Sequence, residues 1–172
     1  MQFIEGKWME DAILTAELFI KAKKIAHVNL TAHCYRVIPT SAMRNKSKAH
    51  YKKVIYDNFN AAMIFDNLFA KIPTEHPKAI ACKKRLKTRQ QSFVFFALVR
   101  FMKSDILTEQ ILFFIDKVKK IKAYPLNNFI STDYNGINYS ILVFIFNREK
   151  LLIPFVKLFR LFYNFKQVIL NK

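Results

Sequence analysis

Glycine and proline are scarce in this 172-residue sequence, which contains two glycines and five prolines. Average usage of the two residues together is about 12%. Because tight turns and phosphate-binding loops depend on glycine, the shortage argues against turn-rich sandwiches and barrels and against a nucleotide-binding loop. Gly6 and Gly136 also lie too far apart in the chain to share such a loop.

Cysteine and histidine are also sparse, and their positions do not have the spacing of metal ligands. Cys34 and Cys82 are isolated from each other and form no CxxC pair. Two cysteines do not make a disulfide scaffold, so a reducing compartment is expected. The four histidines, which form neither HExxH nor a paired zinc pattern, are His27, His33, His50 and His76. No metal site is predicted.

Long apolar runs are absent too. A membrane-spanning helix needs about 20 mostly apolar residues, but Arg100 ends the run over residues 93–99, and Asn138 and Ser140 interrupt residues 137–146. The first eleven residues include carboxylates and no apolar segment typical of a secretory signal. The sequence therefore predicts a cytoplasmic location without a transmembrane segment.

Acidic residues are outnumbered by basic ones, 12 to 29, which gives a net charge of +17 and a pI near 10.0. Such an excess favours a polyanionic partner, either nucleic acid or an anionic membrane surface. An alternative is codon bias, because an AT-rich genome also encodes many Lys, Asn, Ile and Phe residues. A cluster on one predicted helix motivates the nucleic-acid alternative: Lys78, Lys83, Lys84, Arg85, Lys87 and Arg89.

Hydrophobic residues are abundant at 52%, and 18 of the residues are phenylalanine, so there is ample material for a core. Apolar residues recur at three- and four-residue steps along most of the chain, which predicts helices. We predict a mainly α fold with a short β element. The predicted elements are a helix over residues 9–24, a short strand pair or bent strand over 25–37, helices over 47–71, 77–103 and 108–122, a polar loop over 127–136, and two closing helices or one broken at Pro154.

The closing segment, residues 151–168, has a broad apolar face and a narrow polar stripe when drawn as a helix. This pattern suits either a helix in a membrane interface or a terminal helix packed on the core. The stripe consists of Lys150, Lys157, Arg160, Asn164 and Gln167. In the membrane interpretation the residues directed toward the acyl chains are Phe155, Phe159, Phe162 and Phe165.

The most specific pattern lies at the front of the chain. Glu10 and Asp11 stand at a predicted helix start, where carboxylates commonly cap amides. Residues 6–43, GKWMEDAILTAELFIKAKKIAHVNLTAHCYRVIPTSAM, resemble the end of the catalytic domain of family 2 glycosyltransferases, the bacterial enzymes that build capsule, exopolysaccharide and lipopolysaccharide chains. The residues that match in order and spacing are Gly6, Glu10, Asp11, Tyr35, Arg36 and Ser41.

The resemblance implies the end of a GT-A type catalytic domain over residues 1–45 and a helical C-terminal extension over residues 46–172. It further implies that Asp11, beside Glu10, is the general base that deprotonates an acceptor hydroxyl. The expected acceptor-binding residues are Trp8, Tyr35, Arg36 and Ser41. The expected partners are a saccharide or lipid-linked acceptor and the anionic inner face of the cell membrane.

The sequence also departs from the family. Family members hold a nucleotide-sugar and a divalent metal in an earlier half that ends in an Asp-x-Asp motif, and this sequence contains no such motif. We therefore expect the nucleotide-binding half to be absent through truncation, no cofactor in this chain, and no competent enzyme from the chain alone. The alternative is a basic helical protein that binds a membrane surface or nucleic acid.

Overall fold

A computed structural model describes residues 9–30, 47–75 and 77–170 of the chain. The described part is mainly α, as predicted. Its helices are α1 (Glu10–Lys21), α2 (Lys48–Ala70), α3 (Ala79–Phe101), α4 (Thr108–Lys120), α5 (Ile137–Phe146) and α6 (Glu149–Leu170). Two closing helices are present, but the break falls between α5 and α6, and α6 continues through Pro154.

The predicted β element is wrong over the part that can be compared. Residues 25–30 form no strand, and every side chain from residue 22 to residue 30 is exposed. The alternation of apolar and polar residues there predicted a strand. Within the described ranges, however, there is no other strand with which this segment could pair. The rest of this prediction, residues 31–37, lies outside the described residues.

Helices α2 and α3 form the centre of the fold as an antiparallel pair. The Phe65 and Phe93 rings meet edge to face with centroids 5.0 Å apart. The Gln90 side-chain amide donates to the Ala62 carbonyl oxygen over 2.9 Å, so a buried glutamine is satisfied across the helix pair. Ile13 of α1 is buried in the same core, and therefore α1 shares a core with the later helices.

Phenylalanine rings fill the core on both sides of α3. On the α4 side, Phe59 and Phe114 stack with centroids 4.6 Å apart, and Phe101 lies beside both. On the α5 side, Phe95 stacks on Phe129 at 4.1 Å. Paired aromatic rings contribute roughly 0.5–1.5 kcal/mol beyond their area burial, so the high phenylalanine content is used mainly for packing.

The segment between α4 and α5 is a loop, as predicted, and two of its apolar side chains belong to the core. Leu126 and Phe129 are fully buried. The Gln91 side chain holds this segment by donating to the Pro125 carbonyl over 2.8 Å and accepting from the Asn128 amide over 2.7 Å. The Asn147 side-chain oxygen accepts from the Leu126 amide over 2.7 Å. The loop is therefore fastened to α3 and to the end of α5.

Tyr124 supplies a further attachment, and it gives a testable pH dependence. Its buried hydroxyl donates to the Phe146 carbonyl over 2.6 Å, and burial raises the pKa of Tyr124 to about 12. We expect Tyr124→Phe to lower the free energy of unfolding by about 1–3 kcal/mol near neutral pH, because the last carbonyl of α5 is left unpaired. Urea unfolding of both proteins measures this difference.

The difference should shrink at high pH. The folded protein holds the Tyr124 proton more tightly than the unfolded chain does, so the contribution of this hydroxyl is complete below pH 10 and declines as the pH rises toward 12. The Phe variant lacks that titration. A stability difference that stays constant from pH 9 to pH 12 would contradict the role of this hydroxyl.

Helix α6 packs on the core through one side. Leu152 and Val156 are buried, and Phe155 and Phe159 are half-buried against the core cluster. The Arg160 guanidinium donates to the Phe101 carbonyl at the end of α3 over 2.8 Å. The membrane orientation is therefore wrong for Phe155 and Phe159, and this side of α6 follows the alternative of a terminal helix packed on the core.

Candidate functional site

An open cavity of about 910 Å³ lies between α1, α3 and the loop that follows α4. It is the strongest candidate site because residues from three separate segments converge there, and most of them are polar. The polar residues that line it are Asp11, Thr15, Lys84, Arg85, Thr88, Arg89, Asn127, Asn128, Ser131, Thr132, Asp133 and Tyr134.

Asp11 reaches this cavity from the first turn of α1. The residue before the helix, Met9, has a left-handed backbone (φ 69°). The Asp11 side chain is exposed, and its Oδ1 accepts from the Ala12 amide over 2.8 Å. Thr15 lies one turn further on the same helix and lines the same wall. The predicted base therefore faces a space large enough for a ligand.

Glu10 has a different environment from Asp11. It is half-buried and is not among the cavity-lining residues. Its Oε2 is buried and has no hydrogen-bond partner within the described ranges. Of the two adjacent carboxylates, only Asp11 is placed to act on a ligand in the cavity.

Helix α3 gives the cavity a basic wall. Lys84, Arg85 and Arg89 line the space, and Arg89 lies one helical turn after Arg85. The Arg85 guanidinium lies 3.5 Å from the Asp133 carboxylate of the facing loop. The Arg89 guanidinium donates to the Tyr134 hydroxyl over 3.3 Å. Both arginines therefore reach from α3 toward the loop wall.

The loop wall combines hydroxyls, amides and one aromatic ring. Thr88 of α3 donates to the Asn128 carbonyl over 2.9 Å and ties this wall to the helix. The half-buried Tyr134 ring stacks on Phe129 with centroids 4.7 Å apart. The Ser131 hydroxyl oxygen is buried and has no partner within the described residues. Such a wall offers both hydrogen-bonding groups and an apolar surface.

The basic cluster of α3 is not one continuous stripe. Lys87 turns inward, where it donates to the Ile121 carbonyl over 3.2 Å and to the Gln90 side chain over 2.8 Å. Burial lowers the pKa of Lys87. The Arg89 guanidinium lies over the Phe93 ring at 5.1 Å. Lys87 therefore contributes to the packing of α3, and the nucleic-acid alternative stays a prediction.

The remaining predicted site residues lie outside the described residues and stay predictions. These are Trp8, Tyr35, Arg36 and Ser41. Sequence reasoning missed the rest of the cavity wall. Thr15 could have been found from its spacing of four residues after Asp11. No local signal marks Asn128 or Tyr134, because the loop approaches α1 only in the folded chain.

The cavity offers no recognisable metal site. Across residues 9–30, 47–75 and 77–170, no three His, Cys, Asp or Glu side chains lie close enough to hold a metal ion. Because the resemblance places the family's divalent metal at an Asp-x-Asp motif, which this sequence does not contain, we assign no step to a metal. Comparisons of the chain with protein-family models, with curated proteins and with solved structures gave no match.

Proposed function

We propose that the cavity binds a saccharide acceptor and that Asp11 is the general base for transfer of a sugar to it, as in inverting glycosyltransferases of family 2. One observation carries the proposal: the carboxylate that the sequence resemblance assigns to this role opens onto the polar cavity, whereas its neighbour Glu10 does not line it. A GT-A relationship for residues 1–45 is part of the same proposal.

The chemistry requires one carboxylate beside the acceptor hydroxyl. As the hydroxyl oxygen attacks the anomeric carbon of the donor sugar, its proton passes to Asp11, and the bond to the departing nucleoside diphosphate breaks on the opposite face. The cavity-lining side chains that offer hydrogen bonds to the other hydroxyls of the acceptor are Thr15, Asn127, Asn128, Ser131 and Thr132. The Tyr134 ring offers an apolar surface to the sugar ring.

The charge of the cavity narrows the class of acceptor. Three basic side chains, Lys84, Arg85 and Arg89, line it against the carboxylates of Asp11 and Asp133. An acceptor that carries a phosphate or a carboxylate complements this wall better than a neutral sugar does. A saccharide linked to a lipid phosphate and an acidic polysaccharide both have this chemistry.

Binding to the purified chain tests the acceptor site. We expect phosphorylated or uronic-acid oligosaccharides to shift the NMR signals of Thr15, Thr88 and residues 127–134, and to bind more tightly than neutral oligosaccharides of the same length. Lys84→Gln should weaken binding of the anionic oligosaccharide by roughly threefold to tenfold, because one charge-assisted contact is lost.

Lys103→Gln is the matched control, because Lys103 is also exposed and lies outside the cavity. A uridine diphosphate sugar should give no saturable signal under the same conditions, since no Asp-x-Asp motif occurs in the sequence. Equal losses in both lysine variants, or oligosaccharide shifts that avoid the cavity, would contradict the proposed acceptor site.

A further inference from the structure

Helix α6 has a second apolar face, directed away from the core. Leu161, Phe162 and Phe165 are 70%, 67% and 67% exposed. At 100° per residue they lie on one side of the helix with two exposed residues from its first half, Leu151 and Leu158. This exposed apolar face of α6 runs over about four turns. Single exposed apolar residues are ordinary, but a continuous row of large ones marks an interaction surface.

The neighbouring helix adds exposed apolar residues. Ile137, Ile141 and Phe144 recur on one side of α5 and are all exposed. The Arg148 guanidinium covers the Phe144 ring at 3.6 Å and also donates to the Phe144 carbonyl over 2.9 Å. A cation seated on an exposed aromatic ring combines the two contacts that a membrane interface offers, charge outside and apolar surface inside.

Lysines border the exposed apolar face of α6. Lys150 and Lys157 lie along one edge and Lys166 lies along the other, and all three are exposed. The single acidic residue in α6, Glu149, points elsewhere and pairs with Lys119 of α4. The exposed side of α6 is therefore apolar along its middle and positively charged along its edges.

We propose that the exposed apolar face of α6 docks on an anionic lipid membrane, with the helix lying in the plane of the interface. The side chains that enter the acyl boundary are Leu158, Leu161, Phe162 and Phe165, while Lys150, Lys157 and Lys166 reach the phosphate groups. Within the described residues, every helix is too short or too polar to cross a bilayer. Docking along the surface needs only one apolar side, which α6 has.

Charge complementarity selects lipid over a second copy of the chain as the occupant. Two copies that met through this face would bring their bordering lysines together, and each copy has a net charge of +17. An anionic leaflet instead offers a negative surface beside an apolar interior, which matches the order of lysines and apolar side chains across α6.

Co-sedimentation of the full chain with lipid vesicles tests this proposal. The wild-type protein should bind vesicles of phosphatidylcholine with one third phosphatidylglycerol and should bind pure phosphatidylcholine much more weakly. The triple variant Leu158→Gln, Phe162→Gln, Phe165→Gln should lose at least about tenfold in affinity for the anionic vesicles. The triple variant Lys150→Gln, Lys157→Gln, Lys166→Gln should lose on the order of a hundredfold, since each basic residue contributes about fivefold.

Matched controls come from exposed residues on other helices and loops. Ile80 and Leu107 are 84% and 64% exposed and do not belong to α6, so Ile80→Gln, Leu107→Gln removes apolar surface from other parts of the fold. Lys52→Gln, Lys103→Gln, Lys120→Gln removes the same charge from other exposed positions. Both controls should bind anionic vesicles nearly as well as the wild type. Circular dichroism before sedimentation shows that each variant is folded.

Several results would overturn the proposal. One is a wild-type protein that stays in the supernatant with anionic vesicles. Another is an α6 variant that binds them as tightly as its control does. A third is light scattering that shows a wild-type dimer, a monomeric Leu158/Phe162/Phe165 variant and equal vesicle binding by both, because then a second copy covers the face. None of these results depends on the proposed acceptor site.

Discussion

Asp11→Asn is expected to lower sugar transfer by about 10² to 10⁴ while leaving acceptor affinity nearly unchanged. The amide keeps the shape of the carboxylate and can still accept from the Ala12 amide, but it cannot take a proton at neutral pH. The assay uses the chain fused behind the nucleotide-binding half of a family 2 glycosyltransferase, with radiolabelled donor sugar. Turnover and acceptor KM are measured separately.

Asp133→Asn is the isosteric control on the opposite wall. Asp133 lines the same cavity, but it lies beside Arg85 rather than in the helix that the resemblance marks as catalytic. We expect its turnover to stay within severalfold of the parent fusion. If Asp11→Asn retained turnover within a few-fold while Asp133→Asn or Glu10→Gln lost it, Asp11 would not be the base.

Of the substitutions proposed for this protein, Phe129→Ala is expected to lower the free energy of unfolding most, by about 3–5 kcal/mol. The ring is fully buried, and it stacks on Phe95 on one side and on Tyr134 on the other. Its removal leaves a void where two rings lose their partner. Because many domains have only about 5–15 kcal/mol of stability in total, this one change should lower the midpoint of urea unfolding strongly.

Phe113→Ala serves as the comparison for this substitution. Phe113 is 58% exposed on α4, so removing its ring should cost no more than about 1 kcal/mol. Urea unfolding followed by circular dichroism measures both variants. Similar losses in the two proteins would mean that the Phe129 ring is not a core element and that the loop is held by its hydrogen bonds alone.

The helices were predictable because their sequences carry local periodicity. Helix α2 was predicted over residues 47–71 and occupies Lys48–Ala70, and Ser47 caps it by accepting from the His50 amide over 3.2 Å. The end of α2 just before Pro73 was also predictable, because a proline is a local signal that ends a helix. The helix start at Glu10 and Asp11 was predictable on the same local grounds, because carboxylates favour the first turn of a helix.

The cavity and the orientation of α6 were not predictable in this way. Both depend on which segments meet after folding, and local spacing carries no information about that. Phe129 stands among polar neighbours in the sequence, which predicts an exposed loop residue. It is buried because its ring stacks on Phe95 of α3. Phe159 and Phe162 have the same residue type and neighbouring positions, but only Phe159 faces the core.

The attachment of the loop after α4 also bears on how quickly and how tightly a ligand can be captured. Gln91 and Asn147 fix its backbone from two helices, so this wall of the cavity keeps its shape before a ligand arrives. A preorganised wall loses little conformational entropy on association. On the opposite side, Glu17 of α1 is mostly buried and pairs with the exposed side chains of Lys21 and Lys71. Little of the entropic cost of capture therefore falls on this loop.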